Sequence, residues 1–457
     1  MSFYKRREGG EQPYWPFGPF KLRVPFVHYN VEGAEAVQAV VLSVVTISMI
    51  PLLQQHLGLP YDVAMAFVII CGICNMIPAF LGTPFIPGWI TPAVPLVVIF
   101  LGDFEPGPEA IQALVAVQLL VFFIFFILGI TKLGSKIVSV IPNSLKAGVV
   151  IGAGLAALIG EIGPEGTLGS SPISFIIGGL LTVYFMFSLS FKNLRQKSKI
   201  AETISNYGMV PAFIVAIIIG IAVSEYPMPD VEWGIVSPAF GEMWAYLPFS
   251  VGFPTLEMFM MAVPTAIIAY IIAYGDIIVG DTLIERVNDI RKDEEIENSI
   301  DRVHLITSVR NFIHALFAPY PGLAGPIWTA ATATVIERYT FGRKAMDSVY
   351  GGAGTFHIAN FMALFLLPLV TFFQPVLPIG LSLTLLVTGY LCVQVGMEQV
   401  HTNTERGIAG VTAAVLAIHG AAYGLITGIV LYILIEKVSK KSQEDTHSDN
   451  LEKKKIG

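Results

Sequence analysis

Two aspartates, Asp276 and Asp281, stand five residues apart in the otherwise apolar stretch AYGDIIVGD. An ionised carboxylate at membrane depth costs roughly 2.5–3.5 kcal/mol at a helix centre on insertion scales, unless it is paired, solvated or protonated. The chemistry open to Asp276 is to bind and release a proton or Na+ as a carrier reorients. Asp281 is a second candidate for cation coupling, although it borders the charged connector TLIERVNDIRKDEEIENSIDR and also fits a solvated helix end. Arg310 and His314, four apart in HLITSVRNFIHALF, share a helix face. That face could act as a charge partner for Asp276 or attract an anion. The other reading is an arginine that snorkels or braces the connector.

Catalysis fits these groups poorly. An aspartyl dyad needs converging carboxylates, whereas a five-residue spacing points the two side chains to different helix faces. No nucleophile motif, zinc spacing or Walker sequence is present, so an intramembrane enzyme is a remote alternative and ATP is not the driving force. The expectation is no metal and no cofactor beyond a coupling proton or Na+. Cys71, Cys74 and Cys392 fall in predicted spans; the CxxC of the first two reads as small packing residues. His357 and His419 read as packing histidines.

Such groups must be held by something other than plain helices. From Met76 to Leu101 the sequence MIPAFLGTPFIPGWITPAVPLVVIFL carries prolines at 78, 84, 87, 92 and 95 and glycines at 82 and 88. No continuous helix survives its first half. A second stretch, FAPYPGLAGPIWTAATATV over Phe317–Val335, is interrupted in the same way. Irregular backbone at membrane depth is tolerated only where protein or a water-filled cavity covers it. Paired Gly/Pro-broken spans in corresponding places of two halves point to a transporter binding site.

Composition agrees: 54% hydrophobic against 13% charged residues in 457, with a mean hydropathy of +0.69, describes a multispanning membrane protein. The net charge of −7 is spread over loops and a tail and gives no argument for nucleic-acid binding. Apolar runs give about fourteen spans, among them a second from about Val63 to Asn75, an eighth from about Met258 to Gly280 and an eleventh from about Phe356 to Phe373. Lys and Arg collect in alternate connections, such as 192–199, 286–292 and 338–344, and are missing from LGDFEPGPEA, EIGPEGTLG and SEYPMPDVEW. By the positive-inside rule both termini are cytoplasmic.

The expected fold is thus an all-α polytopic membrane protein, with about fourteen transmembrane spans in a 7+7 inverted repeat and short extended segments in broken spans 3 and 10. Its divisions are a cytoplasmic N-terminal segment (1–33), a first seven-span repeat (34–223), an extracellular linker loop (224–257), a second repeat (258–436) and a cytoplasmic hydrophilic tail (437–457).

Several segments resemble the nucleobase/ascorbate transporter family, the uracil and xanthine permeases. Ile50-Pro51-Leu52-Leu53 match the end of that family's first span, and Gln38 falls at its glutamine position. IPAFLGTPF (77–85), IPNSLKAGVVIGAGLAALIGE (141–161) and LPIGLSLTLLVTGY (377–390) resemble its third, fifth and twelfth spans. The glutamates the family places in spans 8 and 10 are here Ile272 and Ile327. The resemblance implies a secondary active transporter moving a nucleobase-like solute by cation symport. A core domain would work against a scaffold of spans 5–7 and 12–14, in a homodimer within the lipid of the cell membrane. Gln38, Thr83, Phe85, Trp89, Thr91, Ala324, Gly325, Trp328 and Thr329 are the expected substrate-binding residues. Sulfate permeases and bicarbonate exchangers are similar in architecture, which gives the alternative: a small-anion transporter using the helix N-termini of spans 3 and 10.

Overall fold

The computed structural model describes residues 2–437 apart from 135, 137–139, 165, 196 and 207–208. The tail expected over 437–457 lies outside the described residues beyond 437. Long apolar runs become helices because backbone groups away from water must be satisfied within the segment. The main helices of the first half are α1 (Gly33–Ile47), α2 (Ile50–Leu57), α3 (Tyr61–Phe80), α4 (Val94–Leu101), α5 (Pro108–Thr131), α6 (Asn143–Ile162), α7 (Pro172–Phe187) and α8 (Val210–Ala222). The second half carries α9 (Leu256–Ile290), α10 (Ile300–Phe317), α11 (Thr329–Thr340), α12 (Val349–Ala363), α13 (Leu377–Glu398), α14 (Asn403–His419) and α15 (Ala421–Leu431).

Among the described residues, six helical segments are long and apolar enough to cross a membrane. A further pair, α7 with the short helix Leu189–Arg195, bends by 63°, and other apolar helices are shorter. Packing across the chain is reciprocal: α1 lies on α12 and α9 on α5, while α3 also lies on α12 and α10 on α5. The second group forms around α6, which packs on α13 and α14, with α7 on α8 and α13. Small residues allow this closeness; a Cβ on Gly154 would stand 2.6 Å from the Cys392 Cβ.

Three boundaries differ from expectation. The second span was expected to stop near Asn75, but α3 runs through Pro78 to Phe80. The N–H groups of Lys21 and Arg23 then donate to the Leu81 and Phe80 carbonyls at 3.3 and 2.8 Å, meeting acceptors that a helix end leaves free. The eighth span was expected to end near Gly280, yet α9 continues to Ile290 and makes the first nine residues of the charged connector helical. The eleventh was expected as one run to Phe373, whereas α12 stops at Ala363 and a separate helix covers Leu367–Phe373.

Residues ahead of α1 form an ordered cap. β1 (Gly10–Glu11) pairs in parallel with β5 (Glu294–Glu295) of the α9–α10 connector, and β2 (Trp15–Phe17) folds back on β3 (Phe20–Leu22). Buried Arg6 donates to Gln12 at 2.7 Å and Asp293 at 3.1 Å. Arg23, fully buried, bonds Glu11 at 2.6 Å and lies 3.8 Å from the Tyr350 ring centre. The cap thereby ties the end of α3 to both connectors that flank α10 and α11.

Candidate solute-binding site at the crossing strands

The two Gly/Pro-rich stretches meet as a minimal sheet. β4 (Gly88–Trp89) pairs antiparallel with β6 (Ala324–Gly325), Gly88 opposite Gly325 and Trp89 opposite Ala324. The approach demands glycine: a Cβ on Gly325 would lie 2.6 Å from the Trp89 carbonyl carbon and oxygen. Neighbouring backbone is satisfied across the same crossing. Trp328 N–H donates to the Ile86 carbonyl at 2.6 Å, and Ile86 N–H to the Thr332 hydroxyl at 3.1 Å.

The remaining strand carbonyls face α10, which answers them with two adjacent side chains. Arg310 donates through Nη1 to the Gly325 carbonyl at 2.5 Å and through Nη2 to the Gly88 carbonyl at 2.9 Å and Asn75 Oδ1 at 2.5 Å. Asn311 donates to the Ala324 carbonyl at 2.9 Å and accepts from the Ala324 N–H at 3.0 Å. Arg310 is therefore bonded to the crossing, and the pairing with Asp276 that the sequence suggested is not made. His314 Nδ1 lies 3.1 Å from the Ala318 carbonyl at the end of α10 and does not reach Asp276 either.

Beside the crossing is a cavity of about 230 Å³, walled by α1, α6, α9, α11 and α13. Of the expected residues, Gln38, Trp89, Thr91, Asp276, Trp328 and Thr329 line it. Thr83, Phe85, Ala324 and Gly325 do not. Phe85 is fully buried against the Gly280 side of α9, while Ala324 and Gly325 are taken up by the strand pairing. Asp281 is also elsewhere, accepting from Asn298 Nδ2 at 2.9 Å and so tethering α9 to its connector.

Asp276 is the one carboxylate in the lining, which holds no Lys, Arg or His among the described residues. It accepts from the Thr329 hydroxyl at 3.3 Å, the first residue of α11. Ile272 and Ile327 both line the cavity, so the two places where the resembled family carries glutamates are apolar walls here. Much of the polar lining missed by sequence reasoning comes from α13 and the residue just after it, Thr384, Thr388, Cys392 and Gln399, with Thr334 added from α11. Thr384, Thr388, Leu391 and Val395 recur at one-face helical spacing, a signal available in the sequence.

Comparison with known proteins agrees on architecture. The transmembrane domain of a cyanobacterium bicarbonate transporter, BicA, aligns at 14% identity with a TM-score of 0.47, covering 86% of this chain and 96% of that one. The murine anion transporter Slc26a9 in the inward-facing state aligns at 13% identity and a TM-score of 0.53, covering 89% of this chain and 68% of that one. A second SLC26A9 structure gives 14% identity and a TM-score of 0.53, over 88% of this chain and 64% of that one. At such identities the likeness to the two Slc26a9 structures is one of fold. No curated protein matches the chain in sequence. The Permease family pattern (Xan_ur_permease), by contrast, matches residues 33–324, well over half the chain. With a mostly helical apolar fold and a cavity at crossed broken segments, the protein is a multi-pass membrane transporter, and it belongs to the Permease family.

Proposed function

We propose that the protein is a secondary active transporter that moves a small neutral, nucleobase-like solute by symport with a proton or Na+. The observation that carries this reading is the Asp276–Thr329 contact, a single carboxylate in an apolar cavity, bonded to the first turn of a broken-span helix. A volume of about 230 Å³ lies below the roughly 300–1,000 Å³ of drug-sized sites and suits a small solute. The carboxylate would bind the cation; Gln38, Trp89, Thr91, Trp328 and Thr329 would hold the solute.

The reciprocal packing of α1 on α12 and α9 on α5 supports a 7+7 inverted repeat, with α6–α8 and α13–α15 as the scaffold. Lining residues Met186 and Met209 stand at helix ends that flank the basic stretch 192–199, and Val395 and Gln399 near the end of α13 that leads to Arg406, which favours a cavity open toward the cytoplasm. The plasma membrane, cytoplasmic termini and a homodimer complete this reading; the last rests on family resemblance alone.

One observation favours a small anion instead: Trp328, which precedes the first residue of α11, provides no side-chain cap, leaving positive helix-end dipole toward the cavity. The opposing end is weaker, because Pro92 has no N–H and the Ala93 N–H is bonded to Ile90 at 2.8 Å. Asp276 would also repel an anion. A thermal-shift screen against uracil, xanthine, sulfate and bicarbonate, with and without Na+ and at two pH values, separates the readings. Stabilisation by a nucleobase that depends on Na+ or pH is the expected result; stabilisation by sulfate or bicarbonate alone would overturn it.

A further inference from the structure

Behind the two tryptophans lies a second cavity of about 20 Å³, room for one water-sized group. It shares Trp89, Thr91, Trp328 and Thr384 with the larger cavity, and reaches His357 of α12, Thr46 of α1 and Asn75 of α3. His357 is 4% exposed, and its Nε2 has no hydrogen-bond partner. Its neighbours are mostly committed. Thr46 donates to Asn360 at 3.1 Å, Asn360 donates to the Ala39 carbonyl at 3.2 Å, and Thr384 donates to Gly380 at 2.9 Å. Asn75 receives Arg310 on its oxygen and has only the Cys71 thiol, 3.7 Å away, for its amide hydrogens.

What remains is a short array of unused capacity: His357 Nε2, either donor or acceptor by tautomer, the Asn75 amide N–H, and hydroxyl lone pairs of Thr46 and Thr384. A buried polar nitrogen left unmet bears the full cost of its lost hydration. An apolar side chain at 357 would avoid that cost, so the unmet nitrogen calls for a partner. Among the described residues no carboxylate lines this small cavity, which argues against a cation, and mixed donors and acceptors suit a neutral oxo or ring N–H group. The larger cavity cannot supply equivalent contacts at Ile272 and Ile327.

We propose that His357 reads the polar edge of the solute from behind the tryptophans, directly or through one bridging water, and is a specificity-determining residue of this transporter. This rests on the nucleobase-like reading of the larger cavity. The test is calorimetric binding of xanthine, hypoxanthine and uracil to the full chain in detergent, with sulfate as the contrasting probe. His357→Phe, which fills the small cavity, is expected to weaken xanthine binding at least about tenfold. It should also change the xanthine-to-hypoxanthine preference, since those ligands differ by one oxo group. His357→Gln should retain most of both. Thr46→Val provides a second route if the ring substitutions lower the yield of folded protein. A merely structural role would lower thermal stability while leaving the preference ratio unmoved. If the unaltered protein binds xanthine and all three variants keep its affinity and ratio, the role of His357 is overturned and the transporter reading stands. If the unaltered protein binds sulfate and no heterocycle, both are overturned.

Discussion

The Thr329 hydroxyl donates to the Asp276 carboxylate across 3.3 Å, joining the first turn of α11 to the middle of α9. Among the described residues the contact links the one carboxylate of the cavity lining to a broken segment whose strand crosses β4 beside the cavity, so under the proposed coupling a change in cation occupancy at Asp276 would bear directly on the helix that would hold the solute. Asp276→Asn keeps the size and an acceptor for Thr329 but removes the exchangeable charge. Gradient-driven uptake into proteoliposomes is expected to fall to background, while binding of the same solute stays measurable. Unchanged concentrative uptake under either a pH or a Na+ gradient would remove Asp276 from coupling.

Gly325 and Gly275 make a matched pair. Alanine at 325 would press a Cβ to 2.6 Å from the Trp89 backbone, whereas at 275 nothing lies within 4 Å. Overpacking costs typically about 1–3 kcal/mol, and more where backbone rather than a side chain must yield. Gly325→Ala is therefore expected to lower the melting temperature in detergent and abolish solute binding. Gly275→Ala, at a cavity-lining position inside a helix, should leave stability equal or slightly raised. Equal melting temperatures for the two variants would contradict the tight strand crossing.

The location of the candidate cavity was legible in the sequence, and its lining only partly. Prolines and glycines at 84–95 and 319–326 mark where helix is impossible, which is a local property, and Asp276 announces itself by its cost among apolar neighbours. Which of the flanking residues face the cavity depends on pairing between segments more than 200 positions apart. Trp89 lines the cavity while its strand partner Ala324 does not, and nothing in either local sequence separates them. Arg310 was readable as a charge partner or a snorkelling arginine but not as a clamp, because two of its three acceptors are backbone carbonyls, identical in every residue. His357 looked like packing for the same reason: its empty neighbourhood exists only once α1, α3 and α12 converge. Pro78 misled in the other direction, since α3 continues through it and the cap's Lys21 and Arg23 take up the carbonyls at its end.

The connector clasp carries a pH dependence of definite sign. The Arg291 guanidinium, bonded at 2.5 and 2.7 Å, holds the Asp293 carboxyl below the ordinary carboxylate range, with burial opposing and Arg6 assisting. A lowered folded-state value means that the stabilisation is complete above the unfolded value near ~4 and is lost as pH falls through the folded one. The melting-temperature gap between the unaltered protein and Asp293→Asn should stay constant from about pH 8 to pH 5 and close in stronger acid. A gap that opens only on acidification would mean the pair does not hold the connector.

Arg310 offers the most demanding test of how the two broken segments are held together. Its guanidinium fork reaches the Gly325 and Gly88 carbonyls and Asn75 from one position, a geometry that a lysine ammonium on a flexible stem does not reproduce. Arg310→Lys keeps the charge but leaves at least one buried acceptor unmet, at about 1–3 kcal/mol, and Arg310→Met strips the clamp entirely. Both variants are expected to lose thermal stability in the order Met worse than Lys. If Arg310 instead served mainly to attract a charged solute, lysine would preserve binding and methionine would abolish it with little change in melting temperature. A clamp predicts that binding and stability fall together in both variants, because β4 and β6 then no longer hold Trp89 and Trp328 at the cavity wall.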